Sequence, residues 1–389
     1  MTQDAQRDLL LRLYRTALLA VDGRRRVRAA LAGPQDGATL WVLAVGKAAA
    51  AMTLGALDAY GPSLTRALVI SRPGHFDPEL SRIPSLTCVG AGHPLPDEQS
   101  LAAGQAARQF AAEAPPGQRV LLLVSGGASS LIELLPEGVG LEDLRRIVSW
   151  ALANGVDIAH LNAMRRRLSL VKDGRLAGWF AHCAARGLVI SDVPGDDPAL
   201  VGSGLLKAGV SGPAASASAA PAWPAWAAEL ASAAAVPAAG PLAFGVDVVA
   251  RMDDALAAAE RAGLAAGLIV ERHAARIDGD AIEVARAVTL DLATGSANLH
   301  LWGGEPTVRL PPAPGRGGRA QHLALAAARW IAGHDGLCLL AAGTDGTDGN
   351  TEDAGALVDA GTVDRGGADG LDPDDFLRRA DSGTFLEDS

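Results

Sequence analysis

Small and charged residues gather at six places in this chain, and each place could do polar chemistry. In the first half, three apolar runs end in Val45-Gly46-Lys47-Ala48, Ser125-Gly126-Gly127-Ala128-Ser129-Ser130 and Ser191-Asp192-Val193-Pro194-Gly195-Asp196-Asp197. The Ser125–Ser130 turn has no side chain large enough to crowd a phosphate. Its glycines can aim backbone N–H groups at an anion with hydroxyls beside them, or the segment can be a tight strand-to-helix turn and nothing more. Lys47, one of only three lysines with Lys172 and Lys207, can reach a phosphate or carboxylate, or sit solvated. Asp192 comes after four apolar residues, where a carboxylate is expensive to bury without a metal, a base role or N–H donors. A turn or N-cap acid is the plainer alternative there, and Asp196 and Asp197 read as turn residues.

The second half contributes Gly303-Gly304-Glu305, Gly315-Arg316-Gly317-Gly318-Arg319 and Gly343-Thr344-Asp345-Gly346-Thr347-Asp348-Gly349. Arginines flanked by glycines make a plausible anion clamp, because guanidinium binds carboxylate or phosphate bidentately. Asp345 and Asp348 stand at i, i+3, unlike the alternating acids of an EF-hand, and can hold Mg²⁺ or cap turns. There is no Walker A loop, no GxSxG elbow and no HExxH. Gly315, Gly317 and Ala320 fit a loose GxGxx(G/A), but the lead-in PPAP is a poor strand and Asp335 precedes the next strand instead of ending it. The eight histidines show no ligand spacing and read as surface or core residues.

Positioning these groups requires a regular frame. Apolar positions at helical spacing predict a helix over the first twenty residues. Strands are expected at 40–44, 66–70, 119–124 and 187–190, with helices at 97–114 and 141–154 between them, a pattern that predicts a parallel sheet covered on both faces. At Ser211–Pro241, 15 Ala and 5 Pro stand among 31 residues, which predicts a linker or helical insertion, with Trp223 and Trp226 gaining by packing. The domain boundary is expected near its end, giving domains 1–241 and 242–389. Beyond it, a helix at 250–263, strands at 266–270, 297–302 and 306–310, a helix at 318–332 and a strand at 337–341 predict a smaller mixed α/β unit.

Composition bounds the function. A chain of 389 residues with 49% apolar content buries a large core, and a net charge of −10 argues against a surface built to neutralise many phosphates, so nucleic acid is not expected as a partner. Cys88, Cys183 and Cys338 lack CxxC spacing and fit neither a disulfide scaffold nor a zinc knuckle. The start has no secretory pattern and no apolar stretch is long enough to span a bilayer, so no membrane partner and a cytoplasmic location are expected. Homo-oligomerisation is left open.

Taken in order, VGKAAAAM (45–52), GHPLPDEQS (92–100), LLLVSGGASSLI (121–132), LNAMRRRLSLVKDGRLA (161–177), SDVPGDDPALVGSG (191–204), GGEPTV (303–308), GRGGRAQHLAL (315–325) and GTDGTDGNTEDAGALVD (343–359) resemble the glycerate 2-kinase family, whose C-terminal part is called the MOFRL domain. The resemblance implies a Rossmann-like N-terminal domain, a MOFRL-type C-terminal domain and an active site in the cleft between them. It further implies ATP- and Mg²⁺-dependent phosphorylation of D-glycerate at its 2-hydroxyl. By carry-over, Lys47 and Arg319 would stabilise the transferring phosphoryl group or grip the glycerate carboxylate, and the Ser125, Gly126, Gly127, Ala128, Ser129 turn would cradle oxygens. Asp192 would be the base or a Mg²⁺ ligand. Glu305, Gly317, Gly318, Thr344, Asp345 and Asp348 would serve the nucleotide and metal.

The sequence also departs from the family pattern. Ala320 and His322 replace an amide and a carboxylate that could touch ligand or metal, Leu205-Leu206 stand for Pro-Thr, Arg166-Arg167 for Lys-His, and Asp173 for glycine. The chain stops at FLEDS, before a Gly-Pro-Thr-Gly-Thr-Asn-type turn. The alternatives are an NAD(P)H-dependent hydroxypyruvate reductase, a label members of this family often carry, and a catalytically impaired relative that binds a small acid or nucleotide.

Overall fold

The computed structural model describes residues 2–33, 36–154, 156, 158–208, 222–238, 240, 244–387 and 389. The chain divides into two compact units, Asp22–Arg251 and a composite of Met1–Val21 with Met252–Ser389. The expected partition at 241/242 therefore differs twice, assigning the first helix to the earlier half and 242–251, with strand Val246–Ala250, to the later one. Helix Gln3–Val21 packs along helix Met252–Ala265. There the Gln6 amide donates to the Gly336 carbonyl at 2.8 Å and Arg7 pairs with buried Asp359 at 3.1 Å.

Unit Asp22–Arg251 is a six-stranded sheet of β1 (Leu40–Val45), β2 (Leu64–Ser71), β3 (Ser85–Gly90), β4 (Arg119–Val124), β5 (Ala184–Ile190) and β6 (Val246–Ala250). Every pairing is parallel and the order is β3-β2-β1-β4-β5-β6. Alternation along the strands sends Leu43, Val45, Leu122 and Val124 into one core and Val42, Ala44, Leu121 and Leu123 into the other. That is why the central strands read as continuous apolar runs. Strand order reverses between β1 and β4, the place in an open α/β sheet where a crevice forms beyond the carboxyl ends.

Of the expected linker at 211–241, residues 211–221, 239 and 241 lie outside those described. The rest is packed structure. Helix Ala225–Ala233 buries Ala227 and Ala231 against Leu144, Ile147 and Leu161, with Trp223 5.2 Å from Trp150 and the Arg146 guanidinium 3.8 Å from the Trp226 ring.

The composite unit carries a parallel pair, β7 (Val270–Arg272) and β8 (Leu299–Leu301), and an antiparallel pair, β9 (Cys338–Ala342) and β10 (Gly355–Asp359). Helix Arg319–Ile331 lies in its core with Ala281, Ala285, Val288, Val358 and Phe385. Two strand expectations change. Residues 266–269 are not strand, because Gly267 at φ +80° turns the chain out of the preceding helix and β7 starts only at Val270. Segment 306–310 makes one isolated bridge, Asp280 to Thr307, because prolines on either side withhold N–H donors. Among the described residues no helix is long and apolar enough to cross a membrane.

Candidate active site

The turns that leave β1 and β4 are interlocked. Ser125 N–H donates to the Val45 carbonyl at 3.0 Å, and Lys47 N–H to the Gly126 carbonyl at 2.9 Å. The Ser125 hydroxyl accepts Ala48 N–H at 3.1 Å. Contact is so close at Gly46, φ +132°, that a Cβ there would lie 2.2 Å from Ser125 Oγ. The hydroxyl of Ser125, 1% exposed, is thus committed to joining two loops.

Beyond this lock, polar side chains converge on the bare backbone of Gly126 and Gly127. A Cβ on Gly126 would stand 2.5 Å from Asp192 Oδ2. One on Gly127, φ +80°, would stand 3.1 Å from His93 Nε2 and 3.2 Å from Lys47 Cγ. Neither glycine donates its N–H to a backbone carbonyl among the described residues. Three strand tips singled out by sequence, at Lys47, Ser125–Ser129 and Asp192, therefore meet at one turn. They are joined by His93, which spacing alone places with the filler histidines.

The turn is braced from behind. The Arg165 guanidinium donates to the Ser129 carbonyl at 2.8 Å, and burial pushes its pKa down against the pull of Glu133. Ser129 and Ser203 hydroxyls lie 2.7 Å apart, and Ser203 donates to Asn162 Oδ1 at 3.2 Å. Deeper, Lys172 and Glu133 form an ion pair with both side chains fully buried, and Ser169 donates its hydroxyl to the same carboxylate. Desolvation lowers the Lys172 pKa, and Glu133 opposes that shift. Leu205 and Leu206, which depart from the family pattern, are simply core.

In the composite unit, loop 315–319 is pinned on several sides. Arg316 N–H donates to Asp381 at 2.8 Å, and Gly317 N–H donates to Asn350 at 2.8 Å. Asp348 accepts the N–H of Ala320 at 3.1 Å and of Gln321 at 2.7 Å, so both its oxygens cap helix Arg319–Ile331. Burial raises its pKa in spite of those bonds. Gly318 is required by this cap, since a Cβ there would lie 2.3 Å from Asp348 Oδ1. Arg319 pairs with Glu305 on an exposed surface, and Thr344 is exposed. Asp345 lies near Tyr14, whose hydroxyl donates to the Gly343 carbonyl and whose pKa is raised by burial and then by the Asp345 charge. His322 is buried with Nδ1 3.0 Å from Ser382 Oγ, so it looks inward instead of toward a ligand.

Mg²⁺ commonly takes one or two protein carboxylates and completes its shell with water and phosphate oxygens. Asp192 has the right donor chemistry, its carboxylate lying close against the Gly126 backbone. Asp345 offers a second carboxylate in its own unit. Asp348 is already engaged by the helix.

Known proteins share both the sequence and the architecture. Residues 9–227 match the family model described as a domain of unknown function, DUF4147, and residues 298–389 match the MOFRL family. A D-glycerate 2-kinase of Thermotoga maritima is 31% identical, over 90% of this chain and 85% of its own. A chain from Agrobacterium vitis that bears a hydroxypyruvate reductase name is 34% identical, over 98% of this chain and 89% of its own. The crystal structure of a glycerate kinase from Thermotoga maritima superposes with a TM-score of 0.79 at 27% identity, covering 99% of this chain and 94% of that one.

Proposed function

The chain belongs to the glycerate 2-kinase family with a MOFRL C-terminal part, and from that membership we propose that it transfers the γ-phosphoryl group of ATP to the 2-hydroxyl of D-glycerate, giving 2-phosphoglycerate and ADP. The observation that supports this most is the convergence of Lys47, His93 and Asp192 on the bare Gly126–Gly127 backbone. Phosphoryl transfer needs little covalent help from protein; it needs positioning and neutralisation of charge spread over the equatorial oxygens.

Asp192 takes the proton of the 2-hydroxyl as its oxygen bonds to the γ-phosphorus and the bond to the ADP oxygen breaks. Lys47 neutralises the oxygens of the transferring group or holds the glycerate carboxylate. The Gly126 and Gly127 N–H groups orient oxygens, while Ser125 and Ser129 hold the turn in place. Mg²⁺, when bound, would draw charge from the phosphates; Asp345 is a carboxylate of suitable chemistry in the composite unit, and Asp192 would be a ligand in place of acting as base. Arg319, Glu305, Gly317, Gly318 and Thr344 serve the nucleotide, and Arg319 must exchange Glu305 for phosphate to do so.

Against the reductase reading, the only GxGxx(G/A) match begins at Gly315, and no strand precedes it at 311–318. Incubation with D-glycerate, ATP and Mg²⁺, resolving 2- from 3-phosphoglycerate, tests the proposal beside a parallel run with NADH and hydroxypyruvate. Formation of 2-phosphoglycerate with no NADH loss is expected. NADH consumption without phosphoglycerate would overturn it.

A further inference from the structure

A second polar cluster lies on the small sheet of the composite unit. The β7 and β8 strands run parallel with Glu271 opposite His300, so the two side chains share a face. His273 lies two residues beyond Glu271 and returns to that face, its N–H held by the Leu301 carbonyl at 3.0 Å. Trp302, two beyond His300, stacks on the His273 ring at 4.5 Å and 11° and fixes its plane. His273 Nε2 then lies 3.0 Å from His300 Nδ1, and Glu271 Oε2 lies 3.5 Å from that nitrogen. Ligand atoms of all three residues fall within 4.8 Å of one another.

We propose that Glu271, His273 and His300 bind a transition-metal dication of the zinc class, separate from the kinase chemistry. Two nitrogens on one ion at bond lengths of about 2.0–2.1 Å are about 2.9–3.4 Å apart for angles between square and tetrahedral, and the observed 3.0 Å falls inside that span. A hydrogen bond between the two rings explains that distance equally well, so the surroundings decide. With Nε2 of His273 turned to the site, its Nδ1 lies 3.8 Å from Asp291 Oδ2, which sets a carboxylate charge behind the ring. His300 has a 2% exposed side chain, and its Nε2 has no hydrogen-bond partner. Neither arrangement satisfies that Nε2, and what favours an ion is the third donor: Glu271 Oε2 brings negative charge to the same Nδ1 that faces His273. Two imidazoles and one carboxylate suit zinc, nickel or copper better than Mg²⁺. Strands of three residues have little stability of their own, and an ion bridging β7 to β8 ties them together.

The test is calorimetric titration of full-length, chelator-stripped protein with Zn²⁺ in the absence of nucleotide, with Co²⁺ absorption reporting ligand type. One strong site per chain is expected, together with a higher melting temperature. His273→Gln and Glu271→Gln, at partly exposed positions where folding is checked by circular dichroism, should each weaken binding by about tenfold or more. Replacing Cys88, Cys183 and Cys338 together with Ser should leave it intact. No strong site, equal affinity in the His273 and Glu271 variants, or loss in the cysteine variant would each overturn the proposal.

Discussion

At the scale of single residues, position separates carboxylates that look alike in sequence. Asp192 faces the bare backbone of Gly126, whereas Asp348 is bound to two helix N–H groups. Asp192→Asn should therefore reduce kcat by roughly 10²–10⁴-fold with the fold unchanged, read in the phosphoglycerate assay. Asp348→Ala should instead cost about 1–2 kcal/mol of stability through the lost cap, read by thermal melting, and leave the Mg²⁺ concentration for half-maximal rate unchanged. Asp345→Asn should raise that concentration. His322 gives a pH signature. Burial lowers its pKa below the 6.5 of a free imidazole, so the unfolded chain binds a proton that the folded chain refuses. That contribution to stability is present above about pH 6.5 and is lost as pH falls below it. Melting temperatures between pH 7 and 5 should fall less steeply for His322→Gln than for the parent.

At the scale of elements, the strand tips are legible in sequence because fully buried parallel strands are continuous apolar runs, and the residues just past each run must form the turn beyond its carboxyl end. LWVLA, RVLLLV and GLVI therefore locate Lys47, Ser125 and Asp192 without help from the fold. The short strands of the composite unit are less legible, since three residues give no periodicity and β7 begins late in the run that suggests it. His93 is hidden because it arrives from a loop, and His273 with His300 because pairing across 27 positions leaves no local spacing. The supports of the glycine turn can be broken separately. Gly46→Ala should cost about 2 kcal/mol or more, from positive φ and overlap with Ser125. Lys172→Met should cost about 3–5 kcal/mol by stranding the Glu133 charge, while Lys172→Met with Glu133→Leu should recover much of that loss in the same denaturant titration.

At the scale of the whole molecule, the expected α/β class is found, and the two compact units do not follow sequence order. Nothing in the amphipathic pattern of the first helix names its partner, because an apolar stripe fits any matching groove; the pairing of Arg7 with Asp359 is visible only in three dimensions. Removing residues 1–21 should lift hydrogen-exchange protection from 252–265 and 338–342 and leave β1, β4 and β5 protected. The arrangement also has a history in time. During synthesis at about 5–20 residues per second, the sheet unit can complete itself as soon as β6 emerges, while the helix made first waits on the order of tens of seconds for β9 and β10. Through that interval its charged residues, Asp4, Arg7, Asp8, Arg12 and Arg15, must keep an apolar stripe in solution. One segment is thus made early and used late, and its surface must stay soluble before the fold can cover it.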